Sequence, residues 1–159
     1  MIQQAKPHDV GDIKRIAQAA YHAYVVRLGK PPAPMVADFA VHIDRDWVIV
    51  FEQDGHVRGY AILVTSGQGV LLDNIAVDPA SQRSGIGDAL VRAVERRAIE
   101  LGHEALDLYT NVVMADNIRW YQKLGFSETK RIEEAGFRRV YMRKMLGTKD
   151  EARSDRSDP

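Results

Sequence analysis

An α+β fold is what this sequence predicts, on three observations. Apolar residues recur at helical spacing over Val10, Ile13, Ile16, Ala17 and Ala20, and again over Ile86, Leu90, Val91, Val94, Ala98 and Leu101. Two strand-like runs, 47 to 53 and 57 to 66, are joined by Asp54-Gly55, a strong signal for an antiparallel hairpin. Residues 70 to 111 read as strand, helix and strand, a βαβ unit whose two strands must run parallel.

Taken in order, Met1 to Ala5 reads as a short first strand, and Asp9 as the N-cap of a helix that ends at Leu28-Gly29. Pro31, Pro32 and Pro34 then forbid continuation. A second short helix is expected from Met35 to about Ile43, with Met35, Phe39 and Ile43 on one face. After the central hairpin, Gly67 and Gly69 mark the turn into residues 70 to 77. That run is nearly all apolar, interrupted only by Asp73 and Asn74, so it is expected at the centre of the sheet with both faces covered. A helix from Gly85 to Leu101 stops at Gly102. Residues 105 to 111 form the next strand, 116 to 124 a helix, and 126 to 131 and 138 to 145 two last strands. Residues 147 to 159 are polar and of mixed charge, and are expected to be a disordered tail. One domain, residues 1 to 146, precedes it.

Bulk composition narrows the function classes. Lysine plus arginine and aspartate plus glutamate number 22 each, so the formal charge is zero. A nucleic-acid binder would show a basic excess, and no nucleic-acid partner is expected. A small anion is still compatible, because a local cluster of donors can hold phosphate in a neutral protein. The absence of cysteine removes disulfides, thiolate metal sites and an acyl-cysteine intermediate. His8, His22, His42, His56 and His103 lack metal-ligand spacing, so no metal is expected. Met1 to Val10 has no signal-peptide core, and no apolar run reaches the roughly 18 residues of a membrane helix, so the expected location is cytoplasmic, without a membrane partner.

The segment Gln82-Arg83-Ser84-Gly85-Ile86-Gly87 lies between a buried strand and a helix. Backbone N–H groups are available there and the helix dipole is positive. Glycines let an oxygen-rich anion approach, and Arg83 adds charge; a pyrophosphate is the natural guest. Two glycines alone equally describe a tight strand-to-helix turn. A P-loop is excluded because no Gly-Lys precedes a Ser or Thr, and a dinucleotide fingerprint because Leu90 stands where a third small residue is needed.

The context decides between these. Asp73-Asn74-Ile75-Ala76-Val77-Asp78-Pro79, followed by Gln82 to Gly87 and Ala89-Leu90, resembles motif A of the GNAT N-acetyltransferase superfamily, and the ribosomal-protein alanine N-acetyltransferases within it. Asn117-Ile118-Arg119-Trp120-Tyr121-Gln122-Lys123-Leu124-Gly125-Phe126 resembles that family's last helix. The N-terminal third carries no family motif. The resemblance implies a mixed, mostly antiparallel sheet of six to seven strands, flanked by about four helices, with the βαβ unit as cofactor-binding core. It also implies acetyl-CoA as cosubstrate, without a metal. The pantetheine arm would pair with the backbone of Ile75, Ala76 and Val77 where the two parallel strands splay. The pyrophosphate would be held by Gln82, Arg83, Ser84, Gly85, Ile86, Gly87 and Asp88. A backbone N–H in 75 to 77 would polarise the thioester carbonyl.

An alkyl amine with pKa near 10.4 is only about 0.04% neutral at pH 7, and only the neutral form attacks, so a base or water chain is required. An α-amine, with pKa near 8, needs less help. The resemblance places at Tyr121 the acid that protonates the departing thiolate, although helical spacing with Ile118 and Leu124 also suits a packing role. Some relatives carry a glutamate where this chain has Tyr109. Asp73 is then the alternative base, because a carboxylate in an apolar strand needs a reason; a hydrogen-bonded role at the strand's opening competes with that reading. The family's frequent asparagine is Met114 here, so Asn111 or Asn117 would supply the amide contact to the cofactor, and Asn117 equally suits the helix start.

Tyr21, Tyr24, Arg27 and residues 31 to 34 fall where such enzymes build the wall of the acceptor pocket, and Tyr109 is placed with them. An amphipathic helix whose tyrosines cover the sheet explains the first two as well. The implied acceptor is a primary amine, of a small molecule or a protein N-terminus. A different class is a CoA-binding or interaction module of the same fold without turnover. A homodimer is compatible with either.

Overall fold

The computed structural model describes residues 1–147, so the expected tail lies outside the described residues from position 148 on. Its elements are β1 (Ile2–Gln4), α1 (Val10–Leu28), α2 (Phe39–Asp44), β2 (Val48–Gln53), β3 (His56–Ser66), β4 (Gly69–Val77), α3 (Ile86–Glu100), β5 (Ala105–Asn111), α4 (Ala115–Lys123), β6 (Ser127–Glu134) and β7 (Phe137–Met145). The strands form one mixed sheet in the order β1-β2-β3-β4-β5-β7-β6. The strand expected at the centre, β4, is the fourth of seven. The parallel pair required by the βαβ unit is β4 with β5, joined through Leu71 opposite Asp107 and Leu72 opposite Leu108. Antiparallel ladders join β1 to β2, β2 to β3, β5 to β7 and β6 to β7.

The chain divides into two compact units, the first being Met1–Val64 with Asp73–Ala93. Here α1 buries Ile13, Ile16, Ala17 and Tyr21. Gly29 ends it at φ +72°, with its N–H on the Val25 carbonyl at 2.9 Å. Asp9 does precede α1, but its carboxylate accepts the Lys6 N–H at 2.8 Å rather than capping the helix. The helix expected from Met35 begins later: residues Ala33–Val36 form a 3₁₀ turn and α2 starts at Phe39. The cause is local. Prolines at 31, 32 and 34 deny that stretch N–H donors, whereas Asp38 is a functioning cap that accepts the Val41 N–H at 3.2 Å. The hairpin between β2 and β3 turns on Asp54 at φ +54° and Gly55 at +76°, the left-handed pair of a type I′ turn.

The second unit comprises Thr65–Leu72 and the described residues from Val94 on. Its buried strand residues include Val70 and Leu72 of β4, Leu106 and Leu108 of β5, and Val140 and Met142 of β7. The end of α3 contributes Val94 and Ala98; a side chain the size of Val94 stabilises by about 1.5–3 kcal/mol on leaving water, and the single methyl of Ala98 by less. Leu101, expected on the same inner face, is exposed beyond the helix end, where Gly102 turns the chain at φ +90°. The outer strand β6 carries Glu128, Lys130, Arg131, Glu133 and Glu134, a charged edge that discourages pairing with another chain.

Candidate functional site

In the first unit the strand-to-helix turn is tied down at its start by Asp78. The Asp78 N–H donates to the Arg58 carbonyl at 2.7 Å, and its carboxylate accepts from the Ala80 N–H at 3.2 Å and from Arg15 Nη1 at 3.1 Å. Burial opposes ionisation of Asp78, but the Ala80 N–H and the Arg15 and Arg58 charges outweigh it and hold the carboxyl below its usual range. Residues 82 to 85 are exposed. Arg83 at φ +64° and Gly85 at φ +84° stand on either side of Ser84. Left-handed residues alternating with an ordinary one turn successive N–H groups into one concavity, an anion nest. The Ser84 hydroxyl donates to the Ser81 carbonyl and braces it. The Ala89 N–H closes a helical bond on the Gly85 carbonyl at 3.0 Å, so the N–H groups just ahead of it have no helical acceptor and sit at the positive end of α3.

Gly59 of β3 sets how closely this helix end approaches the sheet. A Cβ there would lie 3.1 Å from the Ala76 carbonyl oxygen, 3.1 Å from Leu90 Cδ1 and 3.2 Å from Ile86 Cγ2. A glycine inside a strand pattern signals such close approach.

Along β4 burial alternates, so Asn74 and Ala76 share the buried face while Asp73, Ile75 and Val77 share the half-buried one. The backbone alternates as well. With Asp78 N–H bonded to β3, Ile75 and Val77 direct their polar groups to the opposite edge. On that edge side chains serve the carbonyls: the Tyr21 hydroxyl donates to Ile75 at 2.7 Å, and Gln82 Nε2 to Val77 at 3.4 Å. Tyr21 is thus buried and directed at the strand, while Tyr24, further along α1, carries the Arg27 guanidinium 5.8 Å from its ring centroid.

The buried polar residue of β4 is Asn74, 3% exposed, not Asp73. Its Oδ1 accepts the hydroxyl of Tyr60 at 2.8 Å and its Nδ2 donates to the Pro34 carbonyl at 3.1 Å. Tyr60 is fully buried. Burial pushes its phenol far up and the nearby Asp73 charge adds to this, against the hydrogen bond to Asn74.

In the second unit, Tyr121 lies on α4, 6% exposed. Its ring centroid is 4.9 Å from Trp120 and 5.8 Å from Phe126, the latter edge-on. The Leu124-Gly125-Phe126 ending explains the second contact. Gly125 at φ +101° turns the chain, and the Phe126 N–H returns to the Tyr121 carbonyl at 3.0 Å. Burial pushes the Tyr121 phenol well above its usual range, so it stays protonated at neutral pH. Met114 precedes α4 and is buried; its sulfur faces Thr110 Oγ1 at 3.4 Å and Asn117 Nδ2 at 3.7 Å. Asn111 turns inward on its own loop, its Oδ1 accepting the Val113 N–H at 3.1 Å.

Tyr109 belongs to a cluster the sequence did not announce. The Arg139 guanidinium lies 4.4 Å from its ring centroid, and Tyr141 stands 5.7 Å away. Glu134 accepts from the Tyr141 hydroxyl and, at 3.0 Å, from Arg139 Nη1; these two bonds hold its carboxyl below the usual range. The only available signal was the antiparallel register, which places Tyr109 opposite Tyr141 and could be read only once β5 and β7 were known to pair.

Among the described residues no group of three or more His, Cys, Asp or Glu could hold a metal ion, and no helix is long and apolar enough to cross a membrane.

Residues 44–128, more than half of the chain, match the model of the acetyltransferase (GNAT) domain. The chain belongs to the GNAT acetyltransferase family. Among characterised GNAT sequences it is similar to mycothiol acetyltransferase of Corynebacterium kroppenstedtii, 41% identical over 66 residues that make up 41% of this chain and 18% of that protein. The chain spans about a fifth of the length of the curated relatives it matches. Among solved structures, the ribosomal-protein-S18-alanine N-acetyltransferase of Escherichia coli superposes with TM-score 0.76 at 23% identity, covering 93% of this chain and 94% of that one. The PaiA N-acetyltransferase of Thermoplasma acidophilum, solved in complex with coenzyme A, gives TM-score 0.75 at 15% identity over 92% and 98%. At these identities the likeness is one of fold.

Proposed function

We propose that this GNAT protein is an N-acetyltransferase that moves the acetyl group of acetyl-CoA directly to a primary amine. The observation that carries the reading is the exposed turn with Arg83 and Gly85 both left-handed around Ser84, opening α3. It suits a pyrophosphate, and family membership supports acetyl-CoA as the donor. Gln82 through Asp88 hold the diphosphate, with Asn117 as a further contact to the cofactor. The N–H groups of Ile75 and Val77, on the edge where Tyr21 and Gln82 serve the carbonyls, pair with the pantetheine amides and polarise the thioester.

The amine nitrogen attacks the thioester carbon, the C–S bond breaks, the amine proton leaves to a base, and CoA departs as thiolate. Tyr121 donates a hydrogen bond and then a proton to that sulfur, and regains its proton from solvent. A phenol raised by burial is a reluctant acid toward a thiol of pKa near 8.5, so its main contribution is to stabilise the developing thiolate. Asp73, on the half-buried face of β4 beside Ile75, is the base, directly or through water. Tyr21, Tyr24, Arg27 and Tyr109 border the acceptor, whose amine belongs to a small molecule or a protein N-terminus. The protein works in the cytoplasm.

A screen of primary amines and peptides with free N-termini, following release of the CoA thiol, tests this reading. Turnover with at least one amine class is expected. Tight binding of CoA without turnover on any amine would instead mark a binding module, a reading that Tyr109, an aromatic ring under Arg139 rather than a carboxylate, leaves open.

A further inference from the structure

The buried amide of Asn74 has two partners of different kinds. Through Oδ1 it is fixed to the core by Tyr60, and through Nδ2 it holds the Pro34 carbonyl. Residues 31 to 34 hold three prolines, which lack N–H groups and cannot be fastened by a backbone ladder. The carbonyl of Pro32 is used internally, by the Met35 N–H at 3.0 Å. A donor from outside is therefore needed to fix this stretch, and Asn74 supplies one from the strand that also carries Asp73 and Ile75. We infer that Asn74 is a positioning residue for the acceptor site, setting where the proline segment stands relative to β4 and thereby which amines fit. This rests on the proposed acetyl transfer only for its consequence in catalysis; the fastening itself is independent of it.

Tyr60→Phe separates the two bonds. It removes the hydroxyl that Asn74 accepts while leaving the amide able to reach Pro34, so it lowers stability without releasing the segment. Asn74→Ala removes both. Hydrogen exchange of the amides in residues 33 to 38 reads the fastening without any substrate. In Asn74→Ala it is expected to quicken roughly fivefold or more, as befits loss of a buried hydrogen bond, and in Tyr60→Phe to stay near the native rate. With the amine that turns over fastest in the screen, Asn74→Ala is expected to raise the acceptor KM by about tenfold, with the Kd of CoA unchanged. Should Asn74→Ala fail to fold, Asn74→Ser, which also removes the Nδ2 donor to Pro34 but keeps a hydroxyl on the buried face, gives the same comparison. Unchanged exchange in 33 to 38, or equal quickening in Tyr60→Phe, would overturn the inference, as would a parallel loss of CoA affinity. If no amine turns over, the functional reading fails, and the exchange result still decides the role of Asn74.

Discussion

The hydroxyl of Tyr21 donates to the carbonyl oxygen of Ile75 at 2.7 Å, tying the middle of α1 to the edge of β4. The peptide groups proposed to meet the cofactor are thereby oriented from the N-terminal helix. Tyr21→Phe takes away the donor but keeps the ring. It is expected to lower stability by about 1 kcal/mol and to reduce kcat/KM more than that loss explains. Urea unfolding beside steady-state kinetics checks both.

Gly85 is needed for its backbone conformation. A Cβ would meet nothing within 4 Å, but φ is +84°. Gly85→Ala forces an L side chain into the left-handed region at about 1–2 kcal/mol, or flattens the turn. CoA affinity measured by calorimetry is expected to fall by about tenfold, with the thermal midpoint only slightly lowered.

Gly59 is constrained by space instead. Gly59→Val drives methyls against the Ala76 carbonyl, Leu90 and Ile86. Overpacking of this kind destabilises by about 2 kcal/mol and would displace the start of α3, so both stability and CoA affinity are expected to drop.

These contrasts show what could be read in advance. The element order, the central place of β4 and the parallel β4–β5 pair followed from periodicity and from Asp54-Gly55, because runs of apolar residues and left-handed turns are local properties. Asn74 was harder. The sequence drew attention to Asp73 as the polar anomaly, yet strand alternation puts Asn74 on the face of Leu72 and Ala76 and leaves Asp73 half-buried. Its partner Pro34 lies 40 residues away, and no local pattern announces such a bond. The proline stretch showed where a helix could not run, but the later start at Phe39 depended on Asp38 capping Val41. Cofactor contacts follow a motif of consecutive residues, and acceptor contacts do not.

Buried phenols set an alkaline limit. Tyr60 and Tyr121 are both raised by burial above the usual value of about 10. Above that pH the unfolded chain has lost phenolic protons that the folded chain keeps, so stability falls as pH rises. Urea midpoints from pH 8 to 11 are expected to hold and then decline beyond about pH 10, less steeply in Tyr121→Phe.

Acetyl transfer with Tyr121 beside the departing sulfur is the chemistry proposed for this protein. Its most direct measurement is CoA-thiol release, with mass spectrometry of the amine, by the native protein and by Tyr121→Phe at equal CoA occupancy. An acetylated amine is expected from the native protein and a rate reduced by about 10²-fold or more in the variant, with the Kd of CoA preserved. An undiminished rate in Tyr121→Phe, or a native protein that binds CoA and acetylates no amine, would contradict it.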